Sequence, residues 1–412
     1  MARFDTVILG AGAAGCATAA VLAKAGKRVL VMDREPAPGG SSSSLGMEGL
    51  RLSGWPLCYY GLEEGGAWNV LLQEVGMRHY HERKAIPYQV ALPDKRITVS
   101  AESNAMFEEL RREFPKEIDQ LQRMYRDANN LKQKLARSKL AAYLARKRKA
   151  GEFLKRYGLG REVLAFYSAV SLTFFGLSIE NMSLSHFILQ LTTLPGLSGG
   201  GIDRTAGEFC EFVVRHGGEC RFGDPWPEII LRRKHFGGLR TKEGLIEAKS
   251  VVMNIPWGAK EKTLFALVNE DVVPVGMVDT VLYVRDYERP QDTVLVSLAA
   301  RGLASASGRG LQALTAFFPN VAGGIAAPED LIGELVPLVP FLPDFTMTAA
   351  LRDSRERSLD DPLISSWENG QRNTGAGING RLAVRDIYVI EDTPFGIVQQ
   401  AEAVLSIARR LV

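Results

Sequence analysis

The sequence contains little cysteine, and the spacing of the cysteines argues against two kinds of site. Its 412 residues include four cysteines, namely Cys16, Cys58, Cys210 and Cys220. No two of them form a Cys-x-x-Cys pair and no histidine lies at zinc-ligand spacing, so neither a metal site nor a disulfide framework is expected. A chain without structural disulfides suits a reducing compartment, and a cytoplasmic location is expected.

The sequence also lacks a charge excess and a long apolar run. Fifty basic and 47 acidic residues leave a net charge of +3, which gives no reason to expect a nucleic-acid partner. Residues 181–202 lack Asp, Glu, Lys and Arg, but they contain too much Ser, Thr, Asn, Gln and Gly to cross a bilayer. Asp5 stands where a secretory signal would be basic, so no signal peptide is expected either.

Motifs for a protein-borne catalyst are missing as well. The chain has no G-x-S-x-G elbow, no H-E-x-x-H pair and no Walker loop. The catalytic residues therefore stay unassigned, which is typical of enzymes whose bound cofactor carries the reaction.

Glycine, by contrast, is concentrated near the start in "VILGAGAAGCATAAVLAKAGKRVLVMD". Residues 4–9 and 29–32 have the branched apolar composition of buried parallel strands. Residues 13–25 between them predict a helix of small residues that Gly26 closes. This order is a β–α–β unit.

The glycines of this unit stand at Gly10, Gly12 and Gly15, at the predicted strand-to-helix turn. In a dinucleotide fold the first allows a tight turn, the second a close approach of the backbone to a pyrophosphate, and the third close packing of helix on strand. Asp33 ends the second strand, where a carboxylate accepts ribose hydroxyls. Ala13 and Ala14 are expected to offer helix N-terminal N–H groups to the phosphates.

The next stretch, "DREPAPGGSSSS", resembles the extended nucleotide-binding motif of the flavin amine oxidase superfamily. That superfamily includes phytoene desaturases, carotenoid isomerases, retinol saturases, protoporphyrinogen oxidases and monoamine oxidases. The resemblance implies FAD as the cofactor, with Arg34, Gly39, Gly40 and Ser41 beside it. Ser41 stands where an arginine commonly follows the glycine pair.

Residues 198–256 are similar to the central segment of that family. They predict a helix that ends at Gly217-Gly218, a strand whose backbone meets the adenine, a hairpin, and a strand that ends near Asn254. Trp226 stands close to the adenine contact. It either stacks on the adenine or belongs to the core, and the sequence favours neither.

The C-terminal stretch "RDIYVIEDTPFGIVQQAEAVLSIARRLV" is similar to the last FAD motif of the family. The resemblance implies that Asp392 contacts the ribitol or phosphate region. It also implies that Gly396 and Ile397 open a helix whose positive end faces the flavin. Glu391 replaces the usual glycine and adds a side chain beside the diphosphate.

These three segments predict a two-domain α/β protein. A Rossmann-like FAD domain of the amine-oxidase (GR2) type would be assembled from residues 1–75, 198–256 and 361–412. An α+β substrate domain would be formed by residues 76–197 and 257–360.

Residues 105–157 predict long helices with an unusual charge. From residue 123 to residue 156 there are twelve lysines and arginines against two acidic residues, an excess of ten. Apolar residues recur among them on a helical period: Leu131, Leu135, Leu140, Tyr143, Leu144 and Phe153. The pattern is typical of a solvated helix face or of a surface that rests on anionic lipid.

The following segment resembles the part of phytoene-desaturase-like proteins that lines an apolar tunnel. Its large apolar residues would suit an isoprenoid chain or an ordinary core: Phe166, Tyr167, Phe174, Phe175, Phe187 and Leu189. His186 in the same segment is either an acid–base group or a core residue. His79 and His81 alternate without a third metal ligand, and His216 and His235 are expected to be exposed.

Taken with the resemblance, these features predict an FAD-dependent oxidoreductase of the phytoene desaturase and retinol saturase type. It would act on carbon–carbon bonds of an apolar, isoprenoid-like substrate by hydride transfer at flavin N5. An isomerase that uses reduced flavin, an amine or protoporphyrinogen oxidase, and a non-catalytic lipid carrier resembling Rab GDP-dissociation inhibitor are the alternatives. Residues 368–386 contain no aromatic cage for an amine.

Overall fold

The computed structural model describes residues 3–56, 58–77, 85–197, 202–232, 235–256, 261–299, 303–304, 310–321, 327–353, 380–381 and 385–412. Strands and helices alternate at the start of the chain and again at its end. The helices are α1 (Ala13–Lys24), α2 (Ala67–Val75), α3 (Ser103–Glu113), α4 (Ile118–Arg137), α5 (Lys139–Lys147), α6 (Ala150–Leu154), α7 (Arg161–Val170), α8 (Leu184–Thr192), α9 (Ile202–Arg215), α10 (Pro328–Glu334), α11 (Leu342–Phe345) and α12 (Ile397–Leu411).

Most strands belong to two larger sheets, and four others form two small two-stranded ladders. The first nine strands are β1 (Arg3–Leu9), β2 (Val29–Asp33), β3 (Leu45–Met47), β4 (Leu50–Leu52), β5 (Cys58–Tyr59), β6 (Tyr88–Ala91), β7 (Arg96–Val99), β8 (Gly196–Leu197) and β9 (Glu219–Phe222). The others are β10 (Glu228–Arg232), β11 (His235–Thr241), β12 (Gly244–Ile255), β13 (Lys262–Asn269), β14 (Thr280–Tyr283), β15 (Val294–Leu298), β16 (Leu303–Ala304), β17 (Gly310–Phe318), β18 (Thr346–Asp353), β19 (Gly380–Arg381) and β20 (Ile387–Glu391).

The first sheet is built around β1, which lies between β12 and β2 with both neighbours parallel. Its order is β10-β11-β12-β1-β2-β9, and β20 pairs with β12 in parallel. Helices α1, α2, α9 and α12 bury one face in a single apolar cluster, because α1 is almost entirely small residues and packs closely. The carboxyl ends of β1, β2, β12 and β20 therefore meet at one edge, which is where α/β sheets bind ligands.

The second sheet runs β18-β13-β17-β15-β14-β6-β7, and its pairs are antiparallel except for β14 with β6. One face packs against α3, α4, α6, α7 and α8, and the other packs against α10 and α11. The strands of this sheet come from residues 88–99 and 262–353, whereas those of the first come from residues 3–33, 219–255 and 380–391. Each sheet thus has its own core.

The predicted helices of residues 105–157 are shorter than expected. Pro115 separates α3 from α4, since proline disfavours helical backbone in the residue before it. Ser138 then starts a new helix by accepting a hydrogen bond from Ala141 N at 3.2 Å. The inserted part of the chain consequently turns several times and encloses a space against the second sheet.

Candidate functional site

The turn between β1 and α1 forms a cradle that only glycine fits. Gly10 has φ +98°, and a Cβ there would lie 1.8 Å from Asn254 O. On Gly12 a Cβ would lie 2.5 Å from Asn254 Oδ1 and 2.7 Å from Asp392 Oδ1, and on Gly15 it would lie 2.4 Å from Gly10 O. Ala13 and Ala14 are buried in the first turn of α1 that follows.

Asp33 closes the cradle from the end of β2, as its position in the sequence predicts. Its carboxylate is 5% exposed and accepts hydrogen bonds from Ala11 N at 2.6 Å and from Glu35 N at 2.9 Å. Arg34 beside it is half-buried, with Nε 4.0 Å from Glu35 Oε1. The backbone at residues 10–12 and the acidic side chain are thereby held together.

The glycine pair lies against the same turn. Gly39 N donates to Ala11 O at 2.8 Å, and a Cβ on Gly40 would lie 2.8 Å from Gly12 Cα. Ser41 donates to Asp392 twice, from its backbone N at 2.7 Å and from its hydroxyl at 2.8 Å. The serine in place of the usual arginine therefore binds the aspartate of the C-terminal segment.

Asn254 joins the three segments. The sequence predicts its place near a strand end but not these contacts. Asn254 is 2% exposed, accepts from Gly15 N at 2.8 Å and donates to Ile390 O at 3.1 Å. One side chain thus connects α1, β12 and β20. A lone polar residue inside the buried run "SVVMNIP" is the signal that marks it.

The cradle also collects negative charge. Glu261 accepts a hydrogen bond from Thr393 Oγ1 at 2.7 Å, close to Glu391 and Asp392. Burial, together with the charges of Glu391 and Asp392, raises the pKa of Glu261 to about 8. A buried carboxyl with two anionic neighbours keeps its proton more readily than a carboxyl in water.

The start of α12 lies where the C-terminal motif predicts it. Gly396 has φ +65° and donates its N–H to Thr173 O at 3.1 Å, and Trp68 Nε1 donates to Ile397 O at 3.0 Å. A Cβ on Gly176 would lie 3.0 Å from Gly396 Cα. Residues 173–176 of the inserted segment therefore cover the helix end.

These features fit an FAD molecule. The glycines let the backbone of residues 10–15 pack closely against Asn254 and Asp392, Asp33 stands at the strand end that binds ribose, and Gly396 starts α12. Thr173 Oγ1 is a buried polar atom without a hydrogen-bond partner among the described residues. Gly10, Gly12, Ala13, Ala14, Gly15, Asp33, Arg34, Gly39, Gly40, Ser41, Asp392, Gly396 and Ile397 all remain predicted cofactor residues.

Trp226 follows β9, whose last residue Phe222 pairs with Asp33. It is half-buried and packs against the apolar cluster on the face of the first sheet opposite α1. Its indole Nε1 is buried and has no partner among the described residues. The core reading accounts for this packing, and stacking on the adenine stays a prediction.

A cavity of about 210 Å³ lies between the helices and the second sheet. Its walls are mostly aromatic and aliphatic, and they are formed by Ala85, Tyr88, Val99, Ser100, Ala101, Met106, Phe107, Tyr125, Asn129, Phe166, Tyr167, Val170, Gln190, Leu191, Thr192, Thr193 and Leu194. Burial raises the pKa of Tyr125 to about 12 and that of Tyr167 well above its ordinary value. The tyrosines therefore keep their protons, and the cavity wall is neutral.

The six predicted tunnel residues divide between two places. Phe166 and Tyr167 line the cavity, whereas Phe174, Phe175 and Phe187 are core residues and Leu189 is half-buried. The Tyr88 and Phe174 ring centroids are 5.3 Å apart. Since residues 173–176 contact Gly396, core side chains packed behind Tyr88 connect the cavity wall to the start of α12.

The three histidines that the structure describes, His186, His216 and His235, do not line either site. His186 Nε2 lies 3.0 Å from Glu402 Oε1 and the ring packs on Phe175, away from the cavity. His216 is exposed as predicted, but His235 is only half-exposed because its Nδ1 lies 3.3 Å from Asp386 Oδ2. His79 and His81, and most of residues 368–386, lie outside the described residues.

Comparison with known proteins agrees with this arrangement. Residues 5–173 match the family model "FAD dependent oxidoreductase". A 74-residue stretch is 39% identical to all-trans-retinol 13,14-reductase of Homo sapiens, covering 18% of this chain and 12% of that protein. A 316-residue stretch is 24% identical to the chloroplastic prolycopene isomerase of Daucus carota, covering 66% of this chain and 49% of that protein. The chain therefore matches about half or less of the length of these relatives.

Solved structures share the fold over almost the whole chain. A Rab GDI from Plasmodium falciparum superposes with a TM-score of 0.63 at 12% identity, covering 98% of this chain and 97% of that one. An oxidoreductase from Methanosarcina mazei has a TM-score of 0.61 at 15% identity, covering 98% and 100%. The predicted α/β fold class, the resemblance to this superfamily and FAD as cofactor are confirmed, and residues 5–173 match the FAD dependent oxidoreductase family model.

Proposed function

We propose that the protein is an FAD-dependent oxidoreductase acting on carbon–carbon bonds of an apolar, isoprenoid-like molecule. The observation that carries the proposal is the neutral aromatic cavity, whose wall residue Tyr88 packs on Phe174, next to the residues covering the start of α12. The names of the retinol reductase and the prolycopene isomerase, both acting on polyenes, support the same class of substrate.

Bound FAD would supply the chemistry by taking or giving a hydride at flavin N5. The protein's part is to bind and orient. Gly10, Gly12 and Gly15 would let the backbone approach the diphosphate, and Asp33 would accept ribose hydroxyls. The aromatic walls keep water from the reacting carbons, and their neutral hydroxyls add no charge.

The cavity is smaller than sites for drug-sized ligands, about 300–1,000 Å³, so it suits one end of a long apolar chain.

A visible absorption spectrum of the purified protein tests the proposal first. Flavin bands, with FAD released on heating, are expected, followed by turnover of all-trans-retinol or prolycopene under reducing or oxidising conditions. A protein that stays colourless when FAD is added would instead support a lipid carrier, a reading in which the likeness to Rab GDI extends to function. Hydrogen peroxide formed with amines or porphyrinogens, and not with polyenes, would favour an oxidase.

We further propose that the basic surface of residues 123–156 contacts anionic lipid, the source of an apolar substrate. On α5, Leu140, Tyr143 and Leu144 are 68%, 58% and 50% exposed, and they lie on one helix face between Lys139 and Lys147. Apolar side chains framed by lysines suit a bilayer interface. Among the described residues, no helix has the length and apolar character that a membrane span requires.

Co-sedimentation with vesicles tests this surface. Binding to phosphatidylglycerol-containing vesicles is expected, with little binding to phosphatidylcholine alone. Lys139→Glu with Lys147→Glu should weaken binding by about 30-fold, since each basic residue near an anionic surface contributes about 1 kcal/mol. Val275→Ser, at an exposed apolar residue on another surface, is the control and should change nothing. Equal binding to both vesicle types would reject the surface.

A further inference from the structure

The edge of the first sheet carries acidic side chains beside the place expected for an anionic cofactor. Glu391 and Asp392 lie close to the protonated Glu261 there, and Asp392 is 3% exposed. The diphosphate of FAD would add further negative charge to the same edge. Juxtaposed like charges in a partly buried site oppose binding, so a basic group in or near this site would strengthen cofactor binding.

Arg352 is a basic group that the second sheet brings to this place, and the buried Lys262 that follows Glu261 pairs with Asp353 at 3.4 Å. Arg352 lies on β18, paired with Thr263 of β13, and its Nη1 donates to Ser43 O at 2.6 Å and to Ser41 O at 3.3 Å. Ser41 is the residue whose N–H and hydroxyl bind Asp392. One residue therefore separates the guanidinium from the buried carboxylate.

The position of this guanidinium is fixed on two sides. Its Cζ lies 4.9 Å from the centre of the Phe265 ring, a favourable cation–π arrangement. A Cβ on Gly54 would lie 2.6 Å from Arg352 Nη1 and 2.2 Å from Ser43 O, so the glycine leaves the space that the contact needs. An arginine stays charged at every physiological pH and keeps this charge when half-buried.

We infer that Arg352, a residue of the second sheet, is the cationic group that sets the affinity of the cradle for the diphosphate of FAD. The inference rests on the proposed function, since FAD is the ligand. It assigns to the substrate domain a part in cofactor binding: β18 supplies a charge to a loop of the first sheet. Ser41 then has its own role, which is to hold Asp392 and to place its carbonyl under the guanidinium.

Titration of the apoprotein with FAD, followed by flavin fluorescence at several salt concentrations, tests the inference. Arg352→Met should weaken FAD binding by about 10- to 30-fold, as expected for losing a charged partner. It should also flatten the dependence of Kd on salt. Arg352→Lys keeps the charge and should stay within about fivefold of the wild type. The matched control is Arg96→Met, because Arg96 also donates to a backbone carbonyl, Leu338 O at 2.7 Å, but lies on β7.

The possible outcomes distinguish an electrostatic role of Arg352 in FAD binding from a purely structural role in holding the loop. If Met and Lys weaken FAD binding equally and the salt dependence is unchanged, Arg352 only holds the loop and the inference is wrong. It is also wrong if neither variant changes the Kd. Should Arg352→Met fail to fold, the lysine variant decides alone: a loss above about tenfold contradicts a charge effect. A wild-type protein that does not bind FAD would overturn the proposed function together with this inference, before any variant is made.

Discussion

Gly10→Ala is expected to abolish FAD binding at micromolar concentrations and to destabilise the protein. The new Cβ would lie 1.8 Å from Asn254 O, a backbone atom that cannot rotate away. A non-glycine residue at φ +98° costs about 1–3 kcal/mol in backbone strain. Moving the end of β12 costs about 1–3 kcal/mol more, as overpacking does. Because 1.4 kcal/mol is tenfold, a cradle displaced at this cost should bind FAD more than about 100-fold more weakly.

Gly26→Ala is the matched control for this prediction. Gly26 also has positive φ, +78°, but a Cβ there would meet nothing within 4 Å. Only the strain of the left-handed backbone remains, about 1–2 kcal/mol. Thermal denaturation of the two apoproteins and FAD titration of both give the comparison. Unchanged FAD affinity in Gly10→Ala would show that the cofactor does not depend on this turn.

The first β–α–β unit was predictable from the sequence because its signals are local. Branched strands, small helix residues and the glycine spacing lie within residues 4–33, and the structure places β1, α1 and β2 within two residues of the predicted bounds. The C-terminal strand and helix also lie where the motif predicts them. In each case the residues that determine the conformation are neighbours in the chain.

The contacts between segments were not predictable in the same way. Ser41 and Asp392 are 351 positions apart, Arg352 and Ser41 are 311 apart, and Asn254 and Gly15 are 239 apart. No periodicity connects such residues. The sequence shows that Ser41 departs from the family pattern. Its partner Asp392 is evident only in the folded structure, where the strands are paired. Sequence motifs therefore predict the cofactor residues, whereas only the folded structure shows which charges lie around them.

The helix lengths in the inserted segment show a second limit of predicting structure from local sequence patterns. A continuous basic and apolar period runs through residues 105–157, yet Pro115 and Ser138 divide it. Each of these two residues interrupts the helix at one position. A hydrophobic period averaged over many residues does not reveal such a local change. The division has a consequence for the site, because the turns let α3 and α4 each contribute wall residues to the cavity.

Ala101→Trp is expected to abolish turnover of isoprenoid substrates while leaving FAD binding intact. Ala101 is exposed and lines the cavity, so an indole there would occupy the space without overpacking the core. A substrate held even about 1 Å from its reacting position loses about 100-fold in rate, and kcat/KM for all-trans-retinol or prolycopene should fall by at least that much. The fall should be mainly in KM if only entry is blocked.

The matched variant is Ala105→Trp, on the first turn of α3 and also exposed, at a residue that does not line the cavity. It should leave kcat/KM, FAD affinity and thermal stability at wild-type values. If Ala101→Trp turns over polyenes as well as Ala105→Trp does, the cavity is not the substrate site. The apolar chain would then have to reach the start of α12 by another route, and the aromatic wall from Tyr88 to Phe174 would be core packing alone.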